Sequence, residues 1–213
     1  MTAPTAPAVL TREQATVLAA SAPLAQRWDA YLAGGMALAL HLGHRRSADF
    51  DWFTPKTLPP ADVLKDLQSL QMPVQVRQND AGTFLGQVGG VDFSVFRYPY
   101  PLVERPGHVA GAPIASVPDI AAMKMTAIAQ RATKRDYVDL HAIFQSRRLG
   151  LREVLFAMQH KYPGYDPTHS LRALTYFRDV DAQPMPAMLT PTSWDHIKRD
   201  LLRLLDRDRG PTR

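Results

Sequence analysis

Hydrophobic and polar positions follow two different periods in the first half of the chain. A period of two predicts strands, whereas apolar residues three or four positions apart predict amphipathic helices. Together with the turn residues between segments, these patterns predict strands at 29–33, 48–54, 74–78, 83–88 and 91–98. They predict helices at 11–28, 36–42 and 61–70, the first of them capped by Thr11.

The second half of the chain has a helical pattern only. It predicts helices at 116–131, 133–145, 151–160, 168–177 and 193–205, the first of them opened by a capping-box pattern at Ser116. Residues 99–115 contain four prolines, and we expect them to form an irregular connection. The sequence therefore predicts a mixed α/β domain at 11–115 and a helical domain at 116–208, with disordered tails at 1–10 and 209–213.

The composition is that of a globular protein in a reducing compartment. Of the 213 residues, 46% are hydrophobic and 21% are charged, which is ordinary for a soluble domain. Cysteine is absent, so disulfides and thiolate metal sites are excluded. The chain has no run of about 18 apolar residues, and its first residues lack the pattern of a signal peptide. We therefore expect a cytoplasmic protein without a membrane partner.

The net charge of +5 is concentrated in one segment. Between residues 124 and 152, seven basic residues and two acids account for all of it. The basic residues are Lys124, Arg131, Lys134, Arg135, Arg147, Arg148 and Arg152. Such a segment suits an anionic substrate, either a nucleotide or a nucleic acid, although a solvated helix face would have the same composition.

Two aspartates separated by one residue are the main candidates for chemistry. On a strand, alternate side chains share a face, so Asp49 and Asp51 point the same way and Phe50 points to the other face. At about 4 Å and an effective dielectric near 20, two carboxylates repel by roughly 4 kcal/mol. A divalent cation removes that cost, and oxygen ligands favour Mg²⁺ or Mn²⁺. Asp92, on the polar face of the strand at 91–98, is the best candidate for a third metal carboxylate.

The motifs around these aspartates resemble a known superfamily. Gly34-Gly35 is followed, after thirteen residues, by Asp49-Phe50-Asp51, and the strand acid Asp92 lies about forty residues further on. This pattern resembles nucleotidyltransferases of the DNA polymerase β type, and within them the AbiEii/AbiGii abortive-infection toxin family. The segments that carry the resemblance are 31–35, 37–40, 42–45, 47–53, 119–124, 134–140, 171–180 and 193–194.

The resemblance implies a fold and a reaction. The fold is a nucleotidyltransferase-like mixed sheet flanked by helices, and the reaction moves a nucleoside monophosphate from a triphosphate to an acceptor hydroxyl, releasing pyrophosphate. Asp49 and Asp51 would bind two Mg²⁺ ions, and Asp92 would bind the ion that activates the acceptor. Gly34 and Gly35 would let the backbone approach the β- and γ-phosphates.

Met36, Arg45 and Arg46 bear on how the nucleotide would bind. The family usually has Thr or Ser at the position of Met36, which cannot offer a hydroxyl to a phosphate. A weaker or differently seated nucleotide is therefore one consequence to test. Arg45 and Arg46 lie in the basic turn before Asp49 and are candidates for phosphate contacts, with an ion pair to a surface acid as the alternative.

Lys124 lies in an apolar stretch, where a lysine needs a partner. Asp136 and Asp139 lie one turn apart on the next predicted helix and share a face. In the functional interpretation, Lys124 is catalytic and holds the triphosphate, and one of the two acids orders the site. In the alternative, the three form a buried ion pair between helices. Lys134 and Arg135 are candidates for binding nucleotide or RNA backbone.

The resemblance also implies partners. It implies a toxin of a toxin–antitoxin pair that modifies the 3′ end of tRNA, with a cognate antitoxin. The basic segment is consistent with an RNA acceptor but does not establish one. A protein or small-molecule acceptor remains an alternative, as does a non-catalytic regulator on the same fold, although a regulator is expected to lose metal carboxylates.

Overall fold

A computed structural model of the protein describes residues 9–147 and 149–208. Its helices are α1 (Arg12–Trp28), α2 (Gly34–Leu42), α3 (Pro60–Gln68), α4 (Val117–Arg131), α5 (Lys134–Gln145), α6 (Leu151–Lys161), α7 (Thr168–Ala173) and α8 (Trp194–Asp208). Its strands are β1 (Tyr31–Ala33), β2 (Phe50–Thr54), β3 (Val74–Asp80), β4 (Thr83–Val88), β5 (Val91–Arg97), β6 (Gly107–Val109) and β7 (Ala112–Ile114).

Within these residues the strands form one mixed sheet in the order β3-β4-β5-β2-β1-β7-β6. Strand β2 is parallel to β5 and antiparallel to β1, and it lies at the centre of the sheet. The register places Asp51 between Ala33 and Ser94. Because α2 begins directly after Ala33, its first residues lie beside the Asp51 side chain.

Alternation along β2 determines what each face of the central sheet carries. Phe50 and Trp52 are fully buried in the core, whereas Asp51 and Phe53 are half-buried on the opposite face. That face is turned towards the helical half of the chain, because Asp51 and Phe53 share a cleft with residues of α4 and α5. The face of β2 that carries Asp51 therefore borders the cleft between the sheet and the helices.

One hydrophobic cluster joins the sheet to the helical half. It includes Leu32 and Trp52 from the sheet together with Ile120 from α4 and Tyr137 from α5. Helix α2 packs against both α4 and α5. The predicted domain boundary near residue 115 falls between β7 and α4, but the two halves share this core, and the division into two domains stays a prediction. In the part of the chain that the structure describes, no helix is long and apolar enough to cross a bilayer.

The structure corrects the prediction for residues 99–115. This segment contains β6 and β7, and β7 extends the sheet by pairing with β1 in parallel. Pro113 is tolerated because the link to β1 uses the Leu32–Ile114 pair and the Ala115 amide, which donates to the Leu32 carbonyl at 2.8 Å. The proline itself does not have to donate to β1.

The strand predicted at 48–54 begins at Phe50, so Asp49 lies directly before β2 and not within it. The predicted helices are all present with ends that differ by a few residues, most of all near residue 174. The helix predicted at 168–177 ends at Ala173. The predicted tails at 1–10 and 209–213 fall mostly outside the described residues, but Val9 is buried in the core, so the first tail is shorter than expected.

Candidate active site

The predicted carboxylates line a cleft between the sheet and the helical half. Its volume is about 280 Å³, and it is open to solvent. The charged and small residues that line it are Gly34, Gly35, Arg45, Ser47, Asp49, Asp51, Lys124, Arg131, Arg135 and Asp136. The apolar wall is formed by Phe53, Phe96, Tyr98, Ile120, Met123 and Ala127. The cleft therefore combines two carboxylates, several cations and an aromatic wall.

Asp49 and Asp51 differ in exposure and in charge compensation. The side chain of Asp49 is 36% exposed, and its Oδ2 lies 3.7 Å from Arg135 Nη1. Burial raises the pKa of Asp51, and the negative charge of Asp49 raises it further. The charge of Lys124 and a hydrogen bond from Ser94 offset these effects only in part. Burial and the neighbouring carboxylate thus outweigh the effect of the cations on the pKa of Asp51.

The glycine pair is required by the packing around this carboxylate. Gly34 has a φ of +66°, and a Cβ added there would lie 2.8 Å from Asp51 Oδ2. A Cβ on Gly35 would overlap the guanidinium of Arg45. Both positions therefore exclude a side chain, and Gly34 also needs the left-handed backbone that glycine tolerates. Met36, the residue that departs from the family pattern, is fully buried in the core.

Asp139 is the centre of a buried charge network beneath the cleft. It is fully buried and accepts hydrogen bonds from Arg45 Nε at 2.6 Å, from Arg45 Nη2 at 2.8 Å and from His44 Nε2 at 2.8 Å. Lys124 Nζ lies 2.7 Å from Asp139 Oδ2, the oxygen that also accepts from Arg45 Nη2. Burial alone would raise the pKa of Asp139, but Lys124, Arg45 and His44 outweigh that effect and hold the pKa far below its usual range.

Lys124 joins this network to the cleft. Its ammonium group donates to Asp136 Oδ1 at 2.7 Å and lies at the same distance from Asp139, and its side chain also lines the cleft. Burial alone would lower the pKa of Lys124, but the charges of Asp139 and Asp136 raise it, so the lysine is charged at neutral pH. Thr133 Oγ1 donates to the second oxygen of Asp136 at 2.7 Å. The ion pair predicted as the structural alternative is therefore present, at the edge of the candidate site.

Two predicted phosphate-binding residues lie elsewhere. Lys134 is buried, with its Nζ 2.9 Å from the Asp181 carbonyl and 4.9 Å from the centre of the Trp194 ring. Arg46 is exposed beside the cleft but is not among the residues that line it. Arg45 lines the cleft, yet its guanidinium is committed to Asp139. Of the cations in the basic segment, Arg131 and Arg135 are the exposed ones at the cleft.

Asp92 lies beside Asp49 in the backbone but is not among the residues that line the cleft. It precedes Phe93 as Asp49 precedes Phe50, and these two phenylalanines are paired in the β2–β5 ladder. Its carboxylate accepts hydrogen bonds from Arg77 and, at 3.2 Å, from Gln87. Its role as a third metal ligand stays a prediction, and it would require release from Arg77.

Sequence reasoning did not single out Ser47, Ser94, Gln130 or Arg131 as site residues. The register of β2 and β5 brings Ser94 beside Asp51. Gln130 and Arg131 lie at the C-terminal end of α4, three and four residues after Ala127 on the cleft wall. The spacing of seven residues between Lys124 and Arg131, about two helical turns, was the available signal for Arg131.

The mixed sheet with its flanking helices matches nucleotidyltransferase folds, and comparisons with known proteins agree. The model of the AbiEii family, a nucleotidyltransferase toxin of type IV toxin–antitoxin systems, matches residues 87–210. An uncharacterised protein of Aquifex aeolicus is 36% identical over 156 residues, which cover 71% of this chain and 75% of that protein. The chain belongs to the AbiEii nucleotidyltransferase toxin family.

Solved structures support the fold assignment. MenT4, a nucleotidyltransferase toxin of Mycobacterium tuberculosis, superposes with a TM-score of 0.56 at 18% identity, covering 93% of this chain and 87% of MenT4. A crystal structure of a nucleotidyltransferase from Helicobacter pylori gives a TM-score of 0.52 at 14% identity, covering 96% of this chain and all of that one. At these identities the likeness establishes the fold alone.

Proposed function

We propose that the protein transfers a nucleoside monophosphate from a nucleoside triphosphate to an acceptor hydroxyl, in a reaction that depends on Mg²⁺ or Mn²⁺. The observation that carries this proposal is the cleft in which Asp49 and Asp51 lie opposite Lys124, Arg131 and Arg135. A triphosphate needs cations along its length and a carboxylate-bound metal at the phosphate under attack. The cleft offers both groups of residues within one open cavity.

The residues of the cleft fit a divalent cation. Asp51 in β2 and Asp49 directly before that strand present carboxylates to the same cleft, and burial, followed by the charge of Asp49, raises the pKa of Asp51. Hard oxygen donors of this kind favour Mg²⁺ and Mn²⁺. Asp92 is the proposed third ligand. When bound, the metal supplies positive charge that polarises the phosphate and lowers the pKa of the acceptor hydroxyl.

The chain's own residues would orient the nucleotide. Arg131 and Arg135 are exposed at the cleft and would bind the β- and γ-phosphates, whereas Lys124 is held in place by Asp136 and Asp139. Lys124 would therefore present a fixed charge to the triphosphate without having to be ordered on binding. The glycine turn brings backbone close to Asp51, where the phosphate chain has to pass.

We further propose that the protein acts as the toxin of a toxin–antitoxin pair, with the 3′ end of tRNA as acceptor and a cognate antitoxin as partner. The support is the family, whose description is that of a type IV toxin, and the two exposed arginines at the cleft. Fewer basic residues of this segment are exposed to an RNA than its composition implies, because Lys124 and Lys134 are buried. Arg148, also counted in that segment, lies outside the described residues.

Label transfer into parallel acceptors tests this proposal. The protein is incubated with each labelled nucleoside triphosphate and Mg²⁺, in separate reactions with purified tRNA, total cellular protein and aminoglycoside-type small molecules. Label on tRNA that is lost when its 3′ end is blocked supports the assignment. Label only on protein or on a small molecule would overturn the RNA acceptor while leaving the transferase reaction in place.

A further inference from the structure

A second cluster of metal-ligating side chains lies on the outer side of the helical half, where α5 and α8 pack together. His141 comes from α5, and His196 and Asp200 lie one turn apart on α8. The candidate ligand atoms of these three residues all lie within 4.8 Å of one another. Among the described residues, no other group of three His, Asp or Glu side chains meets this criterion.

We propose that this cluster, formed by His141, His196 and Asp200, binds one transition-metal ion of the Zn²⁺ type. His141 Nε2 and His196 Nε2 lie 3.0 and 3.3 Å from Asp200 Oδ2. Ligands of a tetrahedral zinc, at about 2.0–2.2 Å from the ion, are separated from each other by about 3.3–3.6 Å. Small side-chain movements would therefore seat an ion between the three groups.

The chemistry of the donor set distinguishes this site from the carboxylate pair in the cleft. Two imidazoles and one carboxylate suit zinc and its neighbours in the first transition series, whereas Mg²⁺ prefers oxygen ligands only. Neutral imidazoles protonated on Nδ1 would present both Nε2 atoms to the ion. The side chain of His196 is 51% exposed, so a water molecule can complete the coordination from solvent.

The surroundings support the carboxylate in this role. Gln145, one turn after His141, donates to Asp200 Oδ2 at 2.6 Å. A hydrogen-bonded amide next to a ligating carboxylate fixes its orientation, as partners behind metal ligands commonly do. Arg203 approaches the other oxygen at 3.8 Å and is largely exposed, so it can move away from an arriving cation.

An ion at this position would fasten the C-terminal helix to the helix that supplies Asp136 and Asp139. The two helices also meet at Trp194, which packs against Tyr137 at a ring distance of 5.9 Å. Metal binding at His141, His196 and Asp200 would stabilise the folded protein, because the ion binds an arrangement that the unfolded chain lacks.

Thermal unfolding with and without Zn²⁺ tests the proposal on protein free of any histidine tag. In the Asp51→Asn background, chosen to remove one carboxylate of the metal site proposed at the cleft, Zn²⁺ at a hundredfold excess over its Kd should raise the Tm by about 5–11 °C. His196→Ala should abolish this rise and weaken Zn²⁺ binding at least about 100-fold in competition with a chromogenic chelator. The matched control is His160→Ala, another exposed histidine, which should leave both unchanged.

Two outcomes would overturn the proposal. One is a Tm that Zn²⁺ does not raise in the Asp51→Asn protein. The other is an equal rise in the His196→Ala variant, since the ion would then bind elsewhere. Mg²⁺ serves as a further control and should not raise the Tm of the Asp51→Asn protein.

Discussion

Replacing Asp139 by Asn tests the buried charge network beneath the cleft. The substitution keeps the shape of the side chain but removes the charge shared by Arg45 and Lys124, and it places an amide N–H group among donors. Removing one partner of a buried ion pair costs about 3–5 kcal/mol. Asp136 still pairs with Lys124, so we expect a loss of stability near the lower limit, about 3 kcal/mol. Most of this loss comes from Arg45, which would be left buried without a charged partner.

The assay is thermal and urea-induced unfolding at neutral pH. For a domain of this size, about 3 kcal/mol corresponds to a fall in Tm of about 6–12 °C. Asp195→Asn is the matched control, because its partner Lys198 lies 3.3 Å away but Asp195 itself is 76% exposed. Exposed pairs contribute less than about 1 kcal/mol. Equal losses of Tm in the two variants would refute the idea that Asp139 organises the site.

The pH dependence provides a second readout of the same network. Because the folded-state pKa of Asp139 is lowered, its contribution to stability is present above the unfolded value of about 3.9 and is lost as the pH falls towards the folded-state pKa. The free energy of unfolding of the wild type should therefore decline more steeply below about pH 5 than that of Asp139→Asn. Parallel curves would contradict this account.

Three further predictions concern the cleft itself. Gly34→Ala should abolish transfer and destabilise the protein more than Gly90→Ala, because both glycines have positive φ but only at Gly34 would the Cβ meet a carboxylate; activity comparable to the Gly90 variant would contradict this. Arg131→Ala and Arg135→Ala should each raise the KM for the triphosphate about tenfold or more while leaving the Tm within about 2 °C, since both side chains are exposed; an unchanged KM in both would remove them from the site. Asp51→Asn should raise the Tm of the metal-free protein at neutral pH, because a raised pKa means that the ionised carboxylate opposes folding. The difference should vanish below about pH 4, where the carboxyl is protonated in both the folded and the unfolded protein. A lower Tm of the variant at neutral pH would contradict the assignment.

The parts of the site that are local in sequence were predictable. The alternation around Asp49, Phe50 and Asp51 determines which side chains share a face, and this depends only on strand geometry. Likewise, the spacing of Asp136 and Asp139 along one helix was enough to place them on a common face with a lysine partner. Family resemblance added the reaction, which no periodicity contains.

Long-range partners were not predictable from these patterns. Arg45 binds Asp139, 94 residues away, and Lys134 binds the carbonyl of Asp181, 47 residues away. A basic residue that neutralises a buried acid and one that binds phosphate look the same in a sequence. The strand β7 was missed for a related reason, since its pairing with β1 through Leu32 and Ile114 involves a distant segment and a proline that usually indicates a loop.

The central claim is that Asp49 and Asp51 hold the metal on which nucleotide transfer depends. The most direct measurement is release of pyrophosphate and transfer of label from a nucleoside triphosphate into tRNA, comparing wild type with Asp51→Asn at increasing Mg²⁺. We expect transfer by the wild type to require Mg²⁺ or Mn²⁺ and to stop with a chelator, and transfer by Asp51→Asn to be at background at every concentration although the variant is folded. Equal transfer by the two proteins, or undiminished transfer by the wild type in excess chelator, would contradict the claim.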